Sequence, residues 1–375
     1  MKEIQMVDLK GQYAKIKKNI DQAIEGVLNN ANFIKGPEVA QFKKELQTYL
    51  PINHVIPCAN GTDALQIALM ALGLQAGDEI ITPNFTFIAT VEVIALLGLK
   101  PVIVDVEPDT FNIDPVAIER AVTQKTKGIV PVHLFGLSAD MKKIMKLAKT
   151  YNLKVIEDTA QAISTHYTNG DGSFSRVGTI GHIGCTSFFP SKNLGCYGDG
   201  GAVYTNDDLL AEKMNSIANH GMKVRYYHDD IGINSRLDSI QAAVLSVKIK
   251  YLDMYNHLRQ KAAAFYDEAF KNQPEITVPY RPENSTHTFH QYTIKVHESK
   301  RDLLKAYLES KNIPAMVYYP VPMHHQKAFK HLGYQNGDFP VTEKLCKQVL
   351  SLPMHTELDN EQLEYITSNV LNFFK

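Results

Sequence analysis

Between residues 54 and 206 the chain returns repeatedly to short runs of apolar residues with little that is polar inside them: DEIITP, KPVIVDV, KGIVPVHLFG, KVIEDTA and CTSFF. A strand with one face in water alternates polar and apolar residues, whereas a strand covered on both faces does not. These runs predict buried strands, and the segments between several of them predict the covering helices. In NGTDALQIALMAL, Leu65, Ala68, Leu69 and Leu72 recur at i, i+3, i+4 and i+7, with Asn60 placed to cap the start. SADMKKIMKLAKTYN repeats the pattern with Met141, Ile144, Met145 and Ala148, after a cap at Ser138. This alternation predicts an α/β fold whose mainly parallel sheet carries helices on both faces.

After residue 206 the pattern changes. Residues 235–270 contain no strong helix breaker, which predicts a long helix leading out of the first domain. Beyond about residue 275, ITVPY, HQYTIKV and AMVYYPV predict strands and KRDLLKAYLESKN a helix. The expected organisation is a large domain over 1–250 and a smaller α+β domain over 251–375. A chain of 375 residues with 44% hydrophobic and 21% charged residues can bury such cores.

A formal net charge of -1 argues against a general nucleic-acid or membrane-surface binder. The opening MKEIQMVDLKGQYAKIKKNI has no apolar core of a signal peptide, and no later stretch reaches the length of a membrane span. Cys58, Cys185, Cys196 and Cys346 show no C-x-x-C pairing, which fits reduced thiols and a cytoplasmic location.

Three features carry chemistry. Asp158 ends an apolar strand, where a carboxylate needs a partner. Gly61 opens a helix, where free N–H groups and the helix dipole favour an anion. Lys192 lies in SFFPSKNLGCYGDGGA, between phenylalanines expected to pack the strand end and a glycine-rich run. A buried amine loses its proton readily and then attacks carbonyls. Taken singly, each has an ordinary explanation: a helix cap, a carboxylate paired with arginine, a snorkelling lysine. Together they match pyridoxal 5′-phosphate (PLP), whose phosphate seeks a helix start, whose aldehyde condenses with lysine, and whose ring nitrogen stays protonated beside a carboxylate.

The ordered set ANGTDALQIAL, TPNFTFIATVEVI, IEDTAQA, SFFPSKNLGCYGDGGAVYTND and NSRLDSIQAAVL resembles the nucleotide-sugar aminotransferases of the DegT/DnrJ/EryC1/StrS family, from IQMVDLKGQY to VLSLPMH. Within it the chain is most similar to enzymes that aminate C3 of UDP-linked 2-acetamido-3-keto sugars, including the 3-oxo-glucuronate branch, for cell-surface polysaccharide biosynthesis. The resemblance implies a fold type I PLP-dependent transferase and a homodimer with shared active sites. It implies that Lys192 is the Schiff-base lysine and Asp158 the partner of the pyridine nitrogen. Gly61, Thr62 and Ser187 would surround the phosphate, Gln161 would lie by the ring hydroxyl, and Phe87 would stack on the ring. Asn234 would reach the phosphate held by the neighbouring subunit. The implied amino donor is L-glutamate and the acceptor a keto sugar on UDP or, as the alternative, on dTDP or GDP. Relatives that dehydrate carry histidine in place of the lysine, so Lys192 disfavours that branch; a non-catalytic PLP-binding regulator is the other competing reading.

Substrate recognition is expected from Arg236, which could instead pair with Asp238, and from Tyr318, Tyr319, His324 and His325 in VYYPVPMHHQ. No metal site is expected. NGDGSFS, residues 169–175, lacks the ligand alternation of a calcium loop and reads as a surface turn. Neither the pair His324/His325 nor the pair His287/His290 repeats a helix-borne ligand spacing. His133 reads as structural support.

Overall fold

The computed structural model describes residues 2–375. Helices α1 (Leu9–Asn30) and α2 (Pro37–Tyr49) lead into β1 (His54–Cys58), α3 (Gly61–Ala71), β2 (Glu79–Pro83), α4 (Ala89–Leu96), β3 (Lys100–Val104), α5 (Pro115–Ala121), β4 (Thr126–Ile129), α6 (Met141–Tyr151) and β5 (Lys154–Asp158). A hairpin of β6 (His166–Thr168) and β7 (Phe174–Arg176) precedes β8 (Ile183–Ser187), β9 (Gly201–Thr205) and α7 (Asp208–Ile217). The chain continues through the small hairpin β10 (Met222–Val224) and β11 (Tyr227–His228), then α8 (Ser239–Lys248), α9 (Leu252–Phe270), β12 (Ile276–Thr277), β13 (Tyr292–Val296), α10 (Glu298–Ser310), α11 (Pro340–Gln348), β14 (Val349–Leu352) and α12 (Asn360–Phe373).

Seven strands form one sheet in the order β1-β9-β8-β5-β4-β2-β3. Only β9 runs against the others, pairing antiparallel with both β1 and β8. Each of the five apolar runs became a strand of this sheet. Its carboxyl edge therefore gathers the residues that end β2, β5 and β8, the edge where open α/β sheets bind ligands.

Local caps follow from side-chain chemistry. Asn60 caps α3 as expected, its carbonyl oxygen accepting from the amide of Asp63 at 2.8 Å. The cap of α6 is Asp140, which accepts from the Lys143 amide, and not Ser138, whose hydroxyl donates instead to the carbonyl of Ala139. The expected long helix is α8 and α9 joined by a 3-10 turn at Ile249–Tyr251. That turn keeps Ile249 and Leu252 in the core with Phe42 and Leu46, while Ala262, Tyr266 and Phe270 enter a second core.

The second core packs β13, β14, α10 and α12, and Ile4 from the N-terminal segment joins it. AMVYYPV is not a strand. Met316 makes one bridge to Ser351, after which the chain leaves the sheet; Pro320 and Pro322, without N–H groups, cannot extend a ladder. The third strand there is β14, which pairs with β13.

Arg259 of α9, 3% exposed, donates to the carbonyls of Phe289 at 3.1 Å and Met354 at 2.9 Å, and more weakly to that of His290. It thus ties α9 to the segments on either side of the second core. Arg259→Met would keep the bulk but leave these buried carbonyls without donors, so unfolding free energy measured by denaturant titration should fall by about 3 kcal/mol. No loss would mean that the network contributes nothing net.

Candidate active site

Lys192 sits on a tight loop after β8. Its own amide donates to the carbonyl of Phe189, and the amide of Cys196 returns to Phe188. A Cβ on Gly195 would lie 2.3 Å from the carbonyl oxygen of Pro190, so only glycine fits where the loop folds onto itself. Phe188 is fully buried against Phe42, as expected for a residue packing the strand end; Phe189 is 51% exposed and does not share that role. Asn193 fixes the loop from beneath, donating to Asn256 at 2.8 Å and to the carbonyl of Thr288 at 2.9 Å.

The lysine is half-buried with its amine enclosed. Burial pushes its pKa down to about 8, against the opposing pull of the Asp158 carboxylate. Asp158, 5% exposed, ends β5. Its two oxygens accept from the Ala160 amide at 3.1 Å and the Thr90 hydroxyl at 2.9 Å. Burial raises its pKa even so; the two hydrogen bonds and the charge of Lys192 only partly offset it. An amine and a carboxyl group thus share a dry pocket that disfavours charge on either.

Behind them lies a second buried layer. The His133 Nδ1 accepts from the Ala139 amide at 3.0 Å, so its proton is on Nε2, which donates to Glu157 at 3.0 Å. Glu157 also accepts from the amides of Gly178, Ile180 and Gly181. These contacts give His133 the structural role its sequence context suggests.

The start of α3 faces the end of β8. A Cβ on Gly61 would lie 2.7 Å from that of Ser187, and one on Gly201 would lie 2.4 Å from the Asn60 carbonyl carbon. Three backbone segments therefore converge where the amides of Gly61 and Thr62 have no acceptor inside the helix. Together with the Ser187 hydroxyl they suit a phosphate. On the open side, Phe87 is 55% exposed, 6.4 Å from the ring of Tyr319. Gln161 accepts from the Phe135 amide at 2.8 Å and donates to the Tyr319 hydroxyl at 3.0 Å. Tyr319 stacks on Phe135 and meets Phe85 edge-on.

The Asp158 charge acts on both Lys192 and Tyr319, Tyr319 is bonded to Gln161, and Gly61 meets Ser187 at the same sheet edge. Tyr318 is half-buried beside Tyr319. Asn234 is exposed, in a segment reaching Asn219 by a backbone bridge. Arg236 is half-buried and, among the described residues, forms no ion pair; the bond to Asp238 is not made. His324 is buried on Asn84 and His325 is exposed. His287 stacks on Phe289 and His290 is buried near Lys192, so these two do not form a ligand pair. The turn at 169–175 is the tip of the β6–β7 hairpin, where Asp171 accepts from Ser173. Sequence reasoning missed Thr90 and Asn193; Asn193 adjoins the lysine, but Thr90 gave no signal because its partner is distant in the chain.

A helix start that admits only glycine, a small hydroxyl beside it, an amine held near neutrality and a buried carboxyl group fit PLP. The class this site defines is the fold type I aminotransferase. The chain matches the DegT/DnrJ/EryC1/StrS aminotransferase family over residues 14–371, and it belongs to that family. It is 47% identical over 374 residues to a pleiotropic regulatory protein of Geobacillus stearothermophilus, covering 99% of each chain. It is 44% identical to the UDP-2-acetamido-2-deoxy-3-oxo-D-glucuronate aminotransferase of Pseudomonas aeruginosa, covering 98% of this chain and 100% of that one. The crystal structure of DesV from S. venezuelae in complex with a ketimine intermediate superposes with a TM-score of 0.95 at 35% identity, covering 100% of this chain and 99% of that one. The protein is a PLP-dependent aminotransferase.

Because only the neutral amine attacks a carbonyl, capture of PLP by cofactor-free protein should accelerate as pH rises through about 8. Asp158→Asn removes the charge that favours the ammonium and should move the midpoint to lower pH. The visible band of the bound cofactor follows both; a midpoint near the ordinary lysine value of 10.5 would mean a solvated amine.

Proposed function

We propose that this aminotransferase moves the amino group of L-glutamate to C3 of a UDP-linked 2-acetamido-2-deoxy-3-keto sugar, for cell-surface polysaccharide biosynthesis. The observation that carries the chemistry is Lys192, an enclosed amine held on a tight loop after β8 where burial pushes its pKa down to about 8, with the buried Asp158 acting on it. The choice of sugar is supported by the 44% identity, across nearly the whole of both chains, to the aminotransferase from P. aeruginosa.

When bound, PLP supplies the electron sink that makes a proton on the donor's α-carbon removable. The protein does the rest. Gly61, Thr62 and Ser187 would hold the phosphate, and Asp158, oriented by Thr90 and the Ala160 amide, would keep the ring nitrogen protonated. Lys192 would anchor the cofactor, and its amine, when free and neutral, would serve as the base that takes the α-proton of the amino donor and as the acid that returns it, with the roles reversed for the keto sugar. Phe87 covers the ring and Gln161 borders its hydroxyl side. Tyr318 and Tyr319 would meet the sugar, and Arg236, without a carboxylate partner among the described residues, would take its diphosphate or a glucuronate carboxylate.

A homodimer with shared sites belongs to the same reading. Asn234 is exposed and follows, within ten residues in sequence, the exposed side chains of Val224, Tyr226, Tyr227 and Ile231, at 62%, 75%, 70% and 88%. Exposed apolar side chains of this kind suit contact with a second copy of the chain, whose cofactor phosphate Asn234 would then reach. A cytoplasmic location is supported by the four free thiols; among the described residues no helix is long and apolar enough to cross a membrane.

The regulatory reading draws on the name of the relative from G. stearothermophilus, and one assay separates the two. Holoenzyme, L-glutamate and a panel of 3-keto and 4-keto sugars on UDP, dTDP or GDP should yield a C3-aminated UDP sugar, identified by mass and NMR. Amination at C4, or of dTDP or GDP sugars alone, would overturn the substrate; no conversion with any donor would favour a regulator. Lys192→Ala should lose the visible cofactor band and slow turnover about a thousandfold or more.

A further inference from the structure

Asn84, the residue after β2, is fully buried, and it meets the turn Met323–His325 at three points. Its backbone carbonyl accepts from the Met323 amide at 3.3 Å and its side-chain oxygen from the His324 amide at 3.1 Å. Its side-chain nitrogen donates to the His324 Nδ1 at 2.8 Å. We propose that Asn84 and His324 are positioning residues for the acceptor: together they hold the segment bearing Tyr318 and Tyr319 in place and so set how the keto sugar is received. The proposal rests on the reading that these tyrosines meet the sugar.

The hydrogen bonds leave one arrangement of protons. Because the Asn84 oxygen takes a backbone N–H, the amide nitrogen faces Nδ1, which is then a bare acceptor. The ring proton lies on Nε2 and is directed toward Glu343, whose Oε1 stands 3.3 Å away. With 4% exposure and both ring nitrogens turned toward protein atoms, His324 has nothing left to offer a sugar. Its influence on the acceptor passes through Asn84.

Both partners are themselves fixed. The Asn84 amide donates to the Val104 carbonyl at 2.9 Å, which keeps it against β3. Behind the turn, α11 starts on Asp105, whose carboxylate accepts from the amides of Val341 and Thr342 at 3.0 Å and 2.9 Å and from the Thr342 hydroxyl at 2.7 Å. His324 packs on Phe339, just ahead of that helix, with ring centroids 4.7 Å apart. The turn is therefore held between the sheet edge and a helix tied to the same edge.

A displacement at the turn would reach the tyrosines. Only Pro320, Val321 and Pro322 separate Tyr319 from Met323, and each proline ring locks its own φ. Next to Asn84 in the chain, Phe85 meets Tyr319 edge-on at 5.9 Å, and Phe87 lies 6.4 Å from the same ring. Asn84 thus joins the stretch that carries Phe87 to the stretch that carries the tyrosines. Misplacing a substrate-positioning group by about 1 Å can cost about a hundredfold in rate.

Transient kinetics of PLP-loaded protein separate this role from a purely structural one, because the visible cofactor band follows each half-reaction by itself. The first is conversion by the amino donor, and the second is return with the nucleotide keto sugar that wild type aminates. His324→Leu should raise the keto sugar concentration for half-maximal rate about tenfold or more, with the donor half-reaction within about twofold of wild type. His324→Asn, whose side-chain oxygen can still accept from Asn84, should recover most of that loss. Asn84→Ser should resemble His324→Leu, and it carries the same comparison should the leucine variant fail to fold. The double variant should be no worse than either single one, because the two residues act as a unit. Equal slowing of both half-reactions, an unchanged sugar dependence, or additive losses in the double variant would overturn this proposal alone. A wild type that converts no keto sugar would overturn it together with the sugar reading.

Discussion

The structure depends on keeping an amine and a carboxyl group out of water at the carboxyl edge of one sheet. Neither Lys192 nor Asp158 would choose such a place as an isolated ion, because burial depresses the pKa of the first and raises that of the second. The energetic cost is spread across their neighbours. Thr90 and the Ala160 amide hold the carboxylate, and Asn193 pins the loop that presents the amine. A chemically poised pair is stable only because its scaffold is over-determined.

That over-determination reaches outward in layers. Glu157 follows the sheet's interior just before Asp158 and collects donors from His133 and three backbone amides, which fixes the end of β5 from behind. Asn193 reaches Thr288, and Arg259 reaches Phe289, His290 and Met354, so the lysine loop is continuous with the second core. Segments far apart in the chain meet at the site through polar side chains that have no freedom to turn elsewhere.

The central strands were legible because burial on both faces leaves a composition that few other structures share. The capping of α3 was legible because Asn60 acts within its own turn. The cap of α6 was misplaced, since Ser138 and Asp140 are both good caps and only tertiary contacts decide between them. AMVYYPV has the residues of a strand, yet the prolines after it end the pairing at Met316. β1 and β9 were not singled out, and they are the pair that includes the only reversed strand. In the site, Lys192 and Asp158 stood out as charges in apolar surroundings, whereas Thr90 and Asn193 act through contacts of long sequence separation. The facing of His324 and Glu343 was equally invisible, because turn and helix are brought together only by folding.

A second lysine sharpens the account. Lys248 is 1% exposed, and burial also pushes its pKa down to about 8. A low pKa alone therefore does not select the anchor; Lys192 differs in facing Asp158, while Lys248 lies over the ring of Tyr197. Reducing the PLP-loaded protein with borohydride and mapping the pyridoxyl mass on its peptides decides between them. The expected label is on Lys192 alone; a label on Lys248, or on no single lysine, would contradict the assignment.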